Sequence, residues 1–435
     1  MSVVDLITMG CSKNLVDSEH LLHMFKVAGY RIFHNPKRIH NDIAVVNTCG
    51  FISDAKQESI DMILRLTQLK QERKLNKVIV MGCLSERYKK ELAEEITGID
   101  RFYGKFDWKS LVNDLAKETG APCCSEATGQ RVLTTPKHYA YIKIAEGCNR
   151  NCAYCAIPAM TGPHRSRPIE DILDEVKTLV AHRTVEFQIV AQELTYYGLD
   201  LYKKRALAEL VDKMAQIKGV RWIRLHYAYP NAFPEDLLDA MAKHKNVCRY
   251  LDIALQHASD NILQRMNRNI TRDEQYALIR KIRSRVPGIA LRTTFMVGFP
   301  GETDEDFNEL LDFVKFAKFE RMGAFIYSEE DGTPASEMYP DDVPEEVKRQ
   351  RLDQLMAVQQ YISEELSARQ VGKTLDVIID GREGDYYIGR TEFDSPEVDG
   401  IVYITPREGH RMRRGCIYKV MINDSNEFDL FGEER

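Results

Sequence analysis

The alternation of apolar and polar positions divides the chain into three stretches. In the first, short apolar runs alternate with segments of helical period, as where VVDLITMG precedes LVDSEHLLHMFKVAGY. Apolar runs between helices are typical of parallel strands covered on both faces. Four such runs predict an open, doubly wound α/β domain over residues 1–120. Residues 121–137 break the period with Pro, Gly, Ser and Thr, which predicts a linker.

A second alternation begins at residue 138. Six strand-like runs, from YAYIKIA to GAFIYS, alternate with helical segments. Six units are fewer than the eight of a complete barrel, so we predict a partial (β/α)6 barrel with one open side. A long helix starting at Pro344 ends this region, which spans residues 138–370. Residues 371–435 hold short β segments separated by turns and predict a small antiparallel, OB-like barrel.

Composition is that of a folded globular protein. The 435 residues are 44% hydrophobic and 29% charged, and the length predicts about three domains. We find no basic-flanked leader and no apolar run near the roughly 18 residues of a spanning helix. We therefore expect a cytoplasmic protein that does not enter a membrane. Because the cytoplasm keeps thiols reduced, the ten cysteines are better explained as metal ligands and core residues than as disulfides.

Three cysteines, Cys11, Cys49 and Cys83, each follow an apolar run and precede a helical pattern. The carboxyl ends of parallel strands share one edge of a sheet, so these residues are expected to meet there. Helix N-termini at that edge favour the thiolate form. The alternative is that each is a small buried residue at a strand end, which is less favoured for three equivalent positions than for one.

Three further cysteines, Cys148, Cys152 and Cys155, lie in the loop EGCNRNCAYC after the first barrel strand. Spacings of three and two residues let one loop cover a face of a 4Fe–4S cluster and leave one iron without a protein ligand. A zinc site with His164 as fourth ligand and three unrelated thiols are the alternatives. Two sites of three cysteines, each leaving a metal position open, indicate a redox enzyme.

The C-x3-C-x2-C loop, with the aromatic Tyr154 before its last cysteine and a six-unit partial barrel around it, resembles the radical S-adenosylmethionine (SAM) enzymes. The resemblance implies that Cys148, Cys152 and Cys155 hold a 4Fe–4S cluster whose open iron binds SAM. One electron then cleaves SAM to methionine and a 5′-deoxyadenosyl radical, which abstracts a hydrogen atom. Such hard chemistry belongs to the cofactor, while the protein binds and orients.

The resemblance also implies SAM contacts at the barrel mouth. The segment VGFPGE is similar to the family's glycine-rich cofactor turn, although it could equally be an ordinary strand-to-helix loop. Glutamine and arginine side chains at or near other strand ends are expected to face the same mouth. The predicted cofactor-binding residues are Tyr154, Gly298, Gly301, Glu302, Gln192, Gln256 and Arg292.

The chain as a whole resembles the methylthiotransferases within this superfamily. The motifs GCSKNLVDSE, NTCGFI and MGCLS, the radical core and a C-terminal barrel of TRAM type carry the resemblance. It implies a second 4Fe–4S cluster on Cys11, Cys49 and Cys83, whose open iron holds the sulfur to be inserted. No catalytic residue is assigned beyond the cluster ligands.

Charge and motif variants distinguish the two branches of the methylthiotransferases, which modify tRNA adenosine or a ribosomal protein. The last 65 residues carry nine basic and fourteen acidic side chains, whereas RNA binding favours a basic surface. An acidic barrel suits a basic protein partner. The cluster Arg411, Arg413 and Arg414 points the other way. The motifs CSKNLVDSE, NTCGFI, LDIALQHAS and YSEEDGTPA resemble the ribosomal-protein branch.

That branch implies methylthiolation at the β-carbon of an aspartate in a small-subunit ribosomal protein, with one SAM donating the methyl group and another generating the radical. It also implies an electron donor of flavodoxin or ferredoxin type, and we expect little or no direct RNA binding. Two alternatives stay open: a tRNA adenosine methylthiotransferase, and a non-enzymatic iron–sulfur module that docks on ribosomes.

Overall fold

The structure is a computed structural model that describes residues 2–122 and 130–435. Part of the predicted linker, including Cys123 and Cys124, to which the sequence assigns no role, lies outside the described residues. Contacts divide the chain into two compact units. The first comprises the described part of residues 1–135 with 146–150 and 155–165, and the second comprises 136–145, 151–154 and 166–435. Since the cysteine loop contributes to both units, the domain limits set from the sequence stay a prediction.

The first unit is built on a five-stranded parallel sheet of order β2-β1-β3-β4-β5. Its strands are β1 (Val3–Thr8), β2 (Arg31–His34), β3 (Ile43–Thr48), β4 (Lys77–Gly82) and β5 (Arg101–Phe102). The central strand β3 is buried throughout, as expected for a parallel strand covered on both faces. The apolar pattern does not predict β2, a four-residue edge strand that is exposed or half-buried along its length.

Helices cover both faces of this sheet. They are α1 (Ser12–Val27), α2 (Ser53–Gln71), α3 (Cys83–Glu95) and α4 (Trp108–Thr119). One core joins α1 and α4 to the sheet through residues such as Phe25, Ile43 and Leu115. Another joins α2 to the opposite face through Ala44 and Leu66. The predicted doubly wound α/β domain is therefore confirmed.

The second unit contains the partial barrel. Its six parallel strands, in spatial order β13-β12-β11-β10-β9-β6, are β6 (Tyr139–Lys143), β9 (Glu186–Val190), β10 (Trp222–Ala228), β11 (Val247–Ile253), β12 (Ala290–Val297) and β13 (Arg321–Ile326). These match the six predicted runs in order and direction. The intervening cysteine loop carries β7 (Ala145–Glu146), α5 (Ile157–Thr161) and β8 (Arg165–Ser166).

Helices connect the barrel strands, and two more follow the last of them. The connecting helices are α6 (Ile169–Ala181), α7 (Leu207–Ala215), α8 (Glu235–Lys243), α9 (Asp260–Arg265), α10 (Arg272–Arg285) and α11 (Asp304–Ala317), and the two that follow are α12 (Pro334–Met338) and α13 (Glu345–Ala368). Capping boxes at Thr271 and Thr303 define the starts of α10 and α11, because each hydroxyl accepts a bond from the backbone N–H three residues on. Among the described residues, no helix has the length and apolar character required to cross a bilayer.

A closed five-stranded barrel ends the chain. Its strands are β14 (Thr374–Glu383), β15 (Tyr386–Arg390), β16 (Val402–Thr405), β17 (Ile417–Ser425) and β18 (Leu430–Glu434). The predicted barrel is confirmed, with one difference. β16 pairs with β18 in parallel, whereas the other four ladders are antiparallel.

Residues 390–399 of this small barrel contact the amino ends of the partial-barrel strands. Glu186, the first residue of β9, forms ion pairs with Arg390 (2.7 Å) and Arg224 (3.0 Å), and all three side chains are buried. Tyr250 donates to the carboxylate of Asp399 at 2.8 Å. We call this set of contacts the barrel floor. Burial alone would raise the pKa of Glu186, but the guanidinium of Arg390 and then that of Arg224 outweigh it and lower the pKa.

Candidate active site

The structure brings the three scattered cysteines to one edge of the first sheet. Cys11 precedes α1 as its N-cap, Cys49 directly follows β3, and Cys83 is the first residue of α3 after β4. Since β1, β3 and β4 are neighbours, the loops after them lie side by side. The meeting of distant cysteines that the sequence predicts is therefore present, with two of them at helix N-termini.

Two glycines allow these loops to approach closely. Gly10 has φ +82°, and a Cβ on it would lie 2.6 Å from Cys49 Cβ and 2.7 Å from Cys49 Sγ. A Cβ on Gly50 would lie 2.8 Å from the backbone nitrogen of Leu84, the residue after Cys83. Each cysteine loop therefore packs against the next through a residue without a side chain, which holds the thiols near one another.

Two buried asparagines, which the sequence analysis missed, hold the same loops together. The Asn14 amide donates to the carbonyls of Met9 (2.9 Å) and Thr48 (3.1 Å), and the Asn47 amide donates to the carbonyl of Asn14 (3.1 Å). Both lie inside the cysteine motifs GCSKN and NTCG. The signal that could have found them is a short amide side chain two or three residues from a predicted ligand cysteine.

In this set Cys49 is buried and Cys83 is half-buried, whereas Cys11 is exposed. Burial raises the pKa of Cys49, and burial raises the pKa of Cys83 to about 12, with Lys105 opposing that rise. The Lys105 ammonium lies 2.8 Å from the carboxylate of Glu146 and 3.9 Å from that of Asp17. Thiols with raised pKa values stay protonated when free, so binding of a metal cluster here must release protons.

Parts of the compact cysteine loop pack with the domain that carries the scattered set. Helix α5, just after Cys155, packs against α3, which begins at Cys83. The guanidinium of Arg165 lies 5.2 Å from the Phe106 ring centroid, and Glu146 binds Lys105 as described. The residues flanking Cys148 and Cys155 thus belong to the same compact unit as the other three cysteines.

Local contacts shape the loop at Cys148. Its sulfur accepts a hydrogen bond from the backbone N–H of Arg150 at 3.4 Å. Gly147 has φ +79°, and a Cβ there would lie 2.1 Å from the carbonyl oxygen of Pro163, so only glycine fits before this cysteine. His164, the alternative zinc ligand, is buried and donates its backbone N–H to the side chain of Asn149 at 2.9 Å.

Within the second unit, Cys152 contacts a cation that the sequence analysis did not anticipate. Arg268 Nη1 donates to Cys152 Sγ at 3.2 Å and lies 3.3 Å from the hydroxyl of Tyr154. The ring of Tyr154 packs beside a buried cluster that includes Met266 and Phe299. A cofactor contact by Tyr154 stays a prediction, and the structure adds that its hydroxyl is bound to this arginine.

The predicted polar contacts at the mouth differ in their placement. Gln256 follows β11 with φ +73°, and its side-chain oxygen is buried without a hydrogen-bond partner among the described residues. Gln192 lies two residues beyond β9 and is half-buried. The expected position of Arg292 was wrong: it is the third residue of β12, near the amino end, where Asp252 and Asp399 lie 3.4 Å from its guanidinium. Because β12 starts at Ala290 and ends at Val297, Arg292 lies at the end of the strand opposite the mouth.

The predicted glycine turn links β12 to α11, and its residues support one another. Gly298 and Gly301 have φ +70° and +80°, and a Cβ on Gly298 would lie 2.3 Å from Cγ of Lys348. The buried carboxylate of Glu302 accepts from the Gly298 N–H at 2.9 Å and from Arg351 at 2.8 Å. These contacts give Glu302 a part in holding the turn. Direct contacts of this turn with SAM stay a prediction.

Each donor set consists of three thiols, which is the ligand chemistry that iron–sulfur clusters use. In the part of the chain that the structure describes, no group of three or more His, Cys, Asp and Glu side chains surrounds one point as the ligands of one metal ion would. In a 4Fe–4S cluster each thiolate binds a different iron, so the sulfurs stand further apart. Three thiols among glycines, backbone N–H groups and helix N-termini suit such a cluster.

Comparison with known proteins first defines the class. Residues 142–314 match the radical SAM superfamily, residues 3–104 match the uncharacterized protein family UPF0004, and residues 371–434 match the TRAM domain. The fold is similar to that of the radical SAM methyltransferase TsrM from Kitasatospora setae, with a TM-score of 0.56 and 17% identity over 77% of each chain. The cobalamin-dependent radical enzyme OxsB gives a TM-score of 0.52 and 12% identity over 83% of this chain and 56% of its own. The chain is a radical SAM enzyme with an iron–sulfur cluster and SAM as cofactors.

Its relatives then define the family. The chain is 60% identical over 430 residues to the ribosomal protein uS12 methylthiotransferase RimO of Bacteroides fragilis, covering 99% of this chain and 98% of that protein. It is 47% identical to the RimO of Cytophaga hutchinsonii over 99% of this chain. The chain belongs to the RimO family of methylthiotransferases, which confirms the resemblance on which the sequence analysis relied.

Proposed function

We propose that this enzyme inserts a methylthio group at the β-carbon of an aspartate in ribosomal protein uS12. The observation that carries the proposal is the 60% identity, over almost the full length of both chains, to a uS12 methylthiotransferase. The motif variants and the acidic C-terminal barrel favour the same branch over the tRNA branch. Transfer to tRNA adenosine has no comparable support.

We assign one 4Fe–4S cluster to Cys148, Cys152 and Cys155, and a second to Cys11, Cys49 and Cys83. The second assignment is supported by the convergence of three strand ends and by the close approach of Gly10 to Cys49. Cys148 and Cys155 lie in the same compact unit as the scattered set. Such proximity is what delivery of a sulfur to a newly activated carbon requires.

When bound and reduced, the first cluster and SAM supply one-electron chemistry that breaks an unactivated C–H bond. The chain's own residues hold and orient the reactants. Gln256 offers a buried oxygen that a bound ligand could satisfy, and Gln192, Tyr154 and the turn from Gly298 to Glu302 complete the proposed SAM site. Cys49 and Cys83 would hold one side of the auxiliary cluster away from water, whereas Cys11 would hold its exposed side.

The acidic C-terminal barrel, with a net charge of −5 over the last 65 residues, is proposed to attract the basic substrate protein. Electrons come from a small flavodoxin- or ferredoxin-like donor. The substrate places the enzyme in the cytoplasm, where ribosomal proteins are made. We keep the domain limits 1–120, 121–137, 138–370 and 371–435 as a working division of these roles.

The test is anaerobic reaction of the reconstituted enzyme with SAM, dithionite and either purified uS12 or bulk tRNA, followed by mass analysis of both products. We expect uS12 to gain the mass of one sulfur and one CH2 group at a single aspartate, together with release of 5′-deoxyadenosine. The same gain on tRNA alone would identify the other branch. Absence of 5′-deoxyadenosine would indicate a non-enzymatic iron–sulfur module instead.

A further inference from the structure

Arg268 occupies an unusual position between the cysteine loop and the barrel. Its side chain is buried, and its guanidinium donates to Cys152 Sγ at 3.2 Å and to the carbonyl of Ala254. It also lies 4.1 Å from the centroid of the Tyr229 ring, while the Tyr229 hydroxyl donates to the Arg268 carbonyl at 2.8 Å. Arg268 is therefore fixed on all sides rather than free to reorient.

Residues 266–268 form hydrogen bonds with successive residues of the cysteine loop. The Asn267 side chain donates to the carbonyl of Asn151 at 2.8 Å, and the N–H of Ala153 donates to the carbonyl of Met266 at 2.9 Å. Arg268 itself contacts the two side chains at positions 152 and 154. Asn267 and Asn269 both adopt positive φ, +54° and +51°, so the backbone bends to present the arginine to the loop.

The charge of Arg268 is not offset by a carboxylate. Within the described residues it forms no ion pair, and its hydrogen-bond partners are a sulfur, a phenol and a carbonyl. Lys105, beside the scattered cysteines, lies instead within 4 Å of two carboxylates. A buried guanidinium without an anion is costly, and a thiolate carrying a metal cluster is the anion that would balance it.

We propose that Arg268 is a positioning residue that holds the Cys152 thiolate on the radical cluster and sets the reduction potential of that cluster. This rests on the proposed role of Cys152 as a ligand. Hydrogen bonds to ligand sulfurs and nearby positive charge favour the reduced, more negative form of an iron–sulfur cluster. Because arginine keeps its charge at every working pH, the effect is permanent. Arg268 thus makes the electron easier to deliver.

The experiment uses the full-length chain with Cys11, Cys49 and Cys83 replaced by alanine, so that only the radical cluster forms. R268Q removes the charge, and R272Q is the matched control, because Arg272 pairs with Glu309 at a half-exposed site away from the cysteines. Each reconstituted variant is titrated with dithionite while the reduced cluster is followed by electron paramagnetic resonance. We expect a midpoint potential shifted to more negative values in R268Q and unchanged in R272Q.

An unchanged potential in R268Q at unchanged iron content would overturn the inference. Failure of the parent to bind any cluster at Cys148, Cys152 and Cys155 would instead refute the proposed ligand set, so the two failures are distinguishable. If R268Q retains no iron, R268K decides, because lysine restores the charge but not the forked geometry. Recovery of iron by R268K, at a potential equal to or slightly below that of the parent, supports the proposal because the charge is restored, whereas no recovery of iron, or a potential above that of the parent, contradicts it.

Discussion

The two cysteine sets are supported by different chemistry. Neutral groups hold the scattered set: the amides of Asn14 and Asn47 and the close backbone approach of Gly10. A cation holds one member of the compact set, since Arg268 donates directly to Cys152. Under the proposed cluster assignment, a cation would donate directly to a sulfur at the compact site, whereas Lys105 beside the scattered site is paired with Glu146 and Asp17.

Replacing all three cysteines of either set should have the largest effect on activity, and it separates radical formation from methylthio transfer. Alanine at all three compact positions should abolish both 5′-deoxyadenosine release and methylthio transfer. Alanine at all three scattered positions should abolish transfer but leave 5′-deoxyadenosine release, because the radical site is intact. Product analysis and iron content, falling from about eight to about four per chain in either case, check this. Loss of 5′-deoxyadenosine in both variants would remove the distinction.

Buried charge also supports the second unit at the barrel floor, and E186Q tests that dependence. Removing the carboxylate leaves Arg224 and Arg390 buried with one fewer anion, so we expect a loss of about 3–5 kcal/mol in the free energy of unfolding. The control is E209Q, at a pair of exposed lysine contacts, for which we expect about 0–1 kcal/mol. Denaturant unfolding followed by circular dichroism measures both, and equal losses would contradict the assignment.

Acid should expose the same dependence in the unmodified protein. The pKa of Glu186 is lower in the folded state than in the unfolded chain, so its contribution to stability is complete above the unfolded value of about 4.3. That contribution is lost as the pH falls through the lower folded value. Unfolding free energies measured from pH 6 downward should therefore decline less steeply in E186Q than in the parent. Parallel curves would show that other carboxylates dominate.

Gly10→Ala tests the backbone approach at the scattered set. The new methyl would enter the space of Cys49 and would sit at φ +82°, so we expect a loss of about 2–4 kcal/mol and of the auxiliary iron. Gly120→Ala is the matched control, because Gly120 has φ +71° but nothing within 4 Å of an added Cβ, and only the backbone cost of about 1–2 kcal/mol remains. Thermal unfolding and iron analysis compare them; retention of eight irons in G10A would contradict the geometry.

Asn14→Ala should have the smallest effect of the series. It removes a buried amide that donates to the carbonyls of Met9 and Thr48, at an expected cost of about 1–3 kcal/mol. Since the contacts join two cysteine loops, auxiliary iron should dissociate faster in a chelator assay, while the radical cluster is retained. Equal release from both clusters would show that Asn14 does not act on the scattered set specifically.

The sequence predicted the elements with a clear apolar pattern, but it did not predict features that tertiary contacts determine. The run IAVVNT could only be a buried strand, and the six barrel runs were equally clear. β2 was missed because RIFH is short and lies at an exposed edge, where no apolar pattern is required. The parallel ladder between β16 and β18 depends on how distant strands close the barrel, which local pattern does not encode.

The same limit applies to the site. The six cysteines could be predicted from their spacing and from their positions after apolar runs. Arg268 does not, because MNRN resembles an ordinary polar helix end and its contact with Cys152 spans 116 residues of sequence. Arg292 was misplaced although its strand was predicted to within one residue, because it lies at the amino end of that strand and the mouth lies at the carboxyl ends. Tertiary partners, rather than local composition, fix such residues.

The barrel floor bears on how modular this enzyme can be. Arg390 pairs with Glu186, and the backbone carbonyl of Glu392 accepts from Arg224. The C-terminal barrel therefore supplies one charged and one polar partner to buried residues of the partial barrel. A shortened chain ending before residue 371 would leave Glu186 with one of its two guanidinium partners and Arg224 without the carbonyl of Glu392, and it should be recovered as insoluble material. A chimaera that takes its C-terminal barrel from another enzyme would need both the segment equivalent to 390–399 and the residues that contact it at the amino ends of the partial-barrel strands.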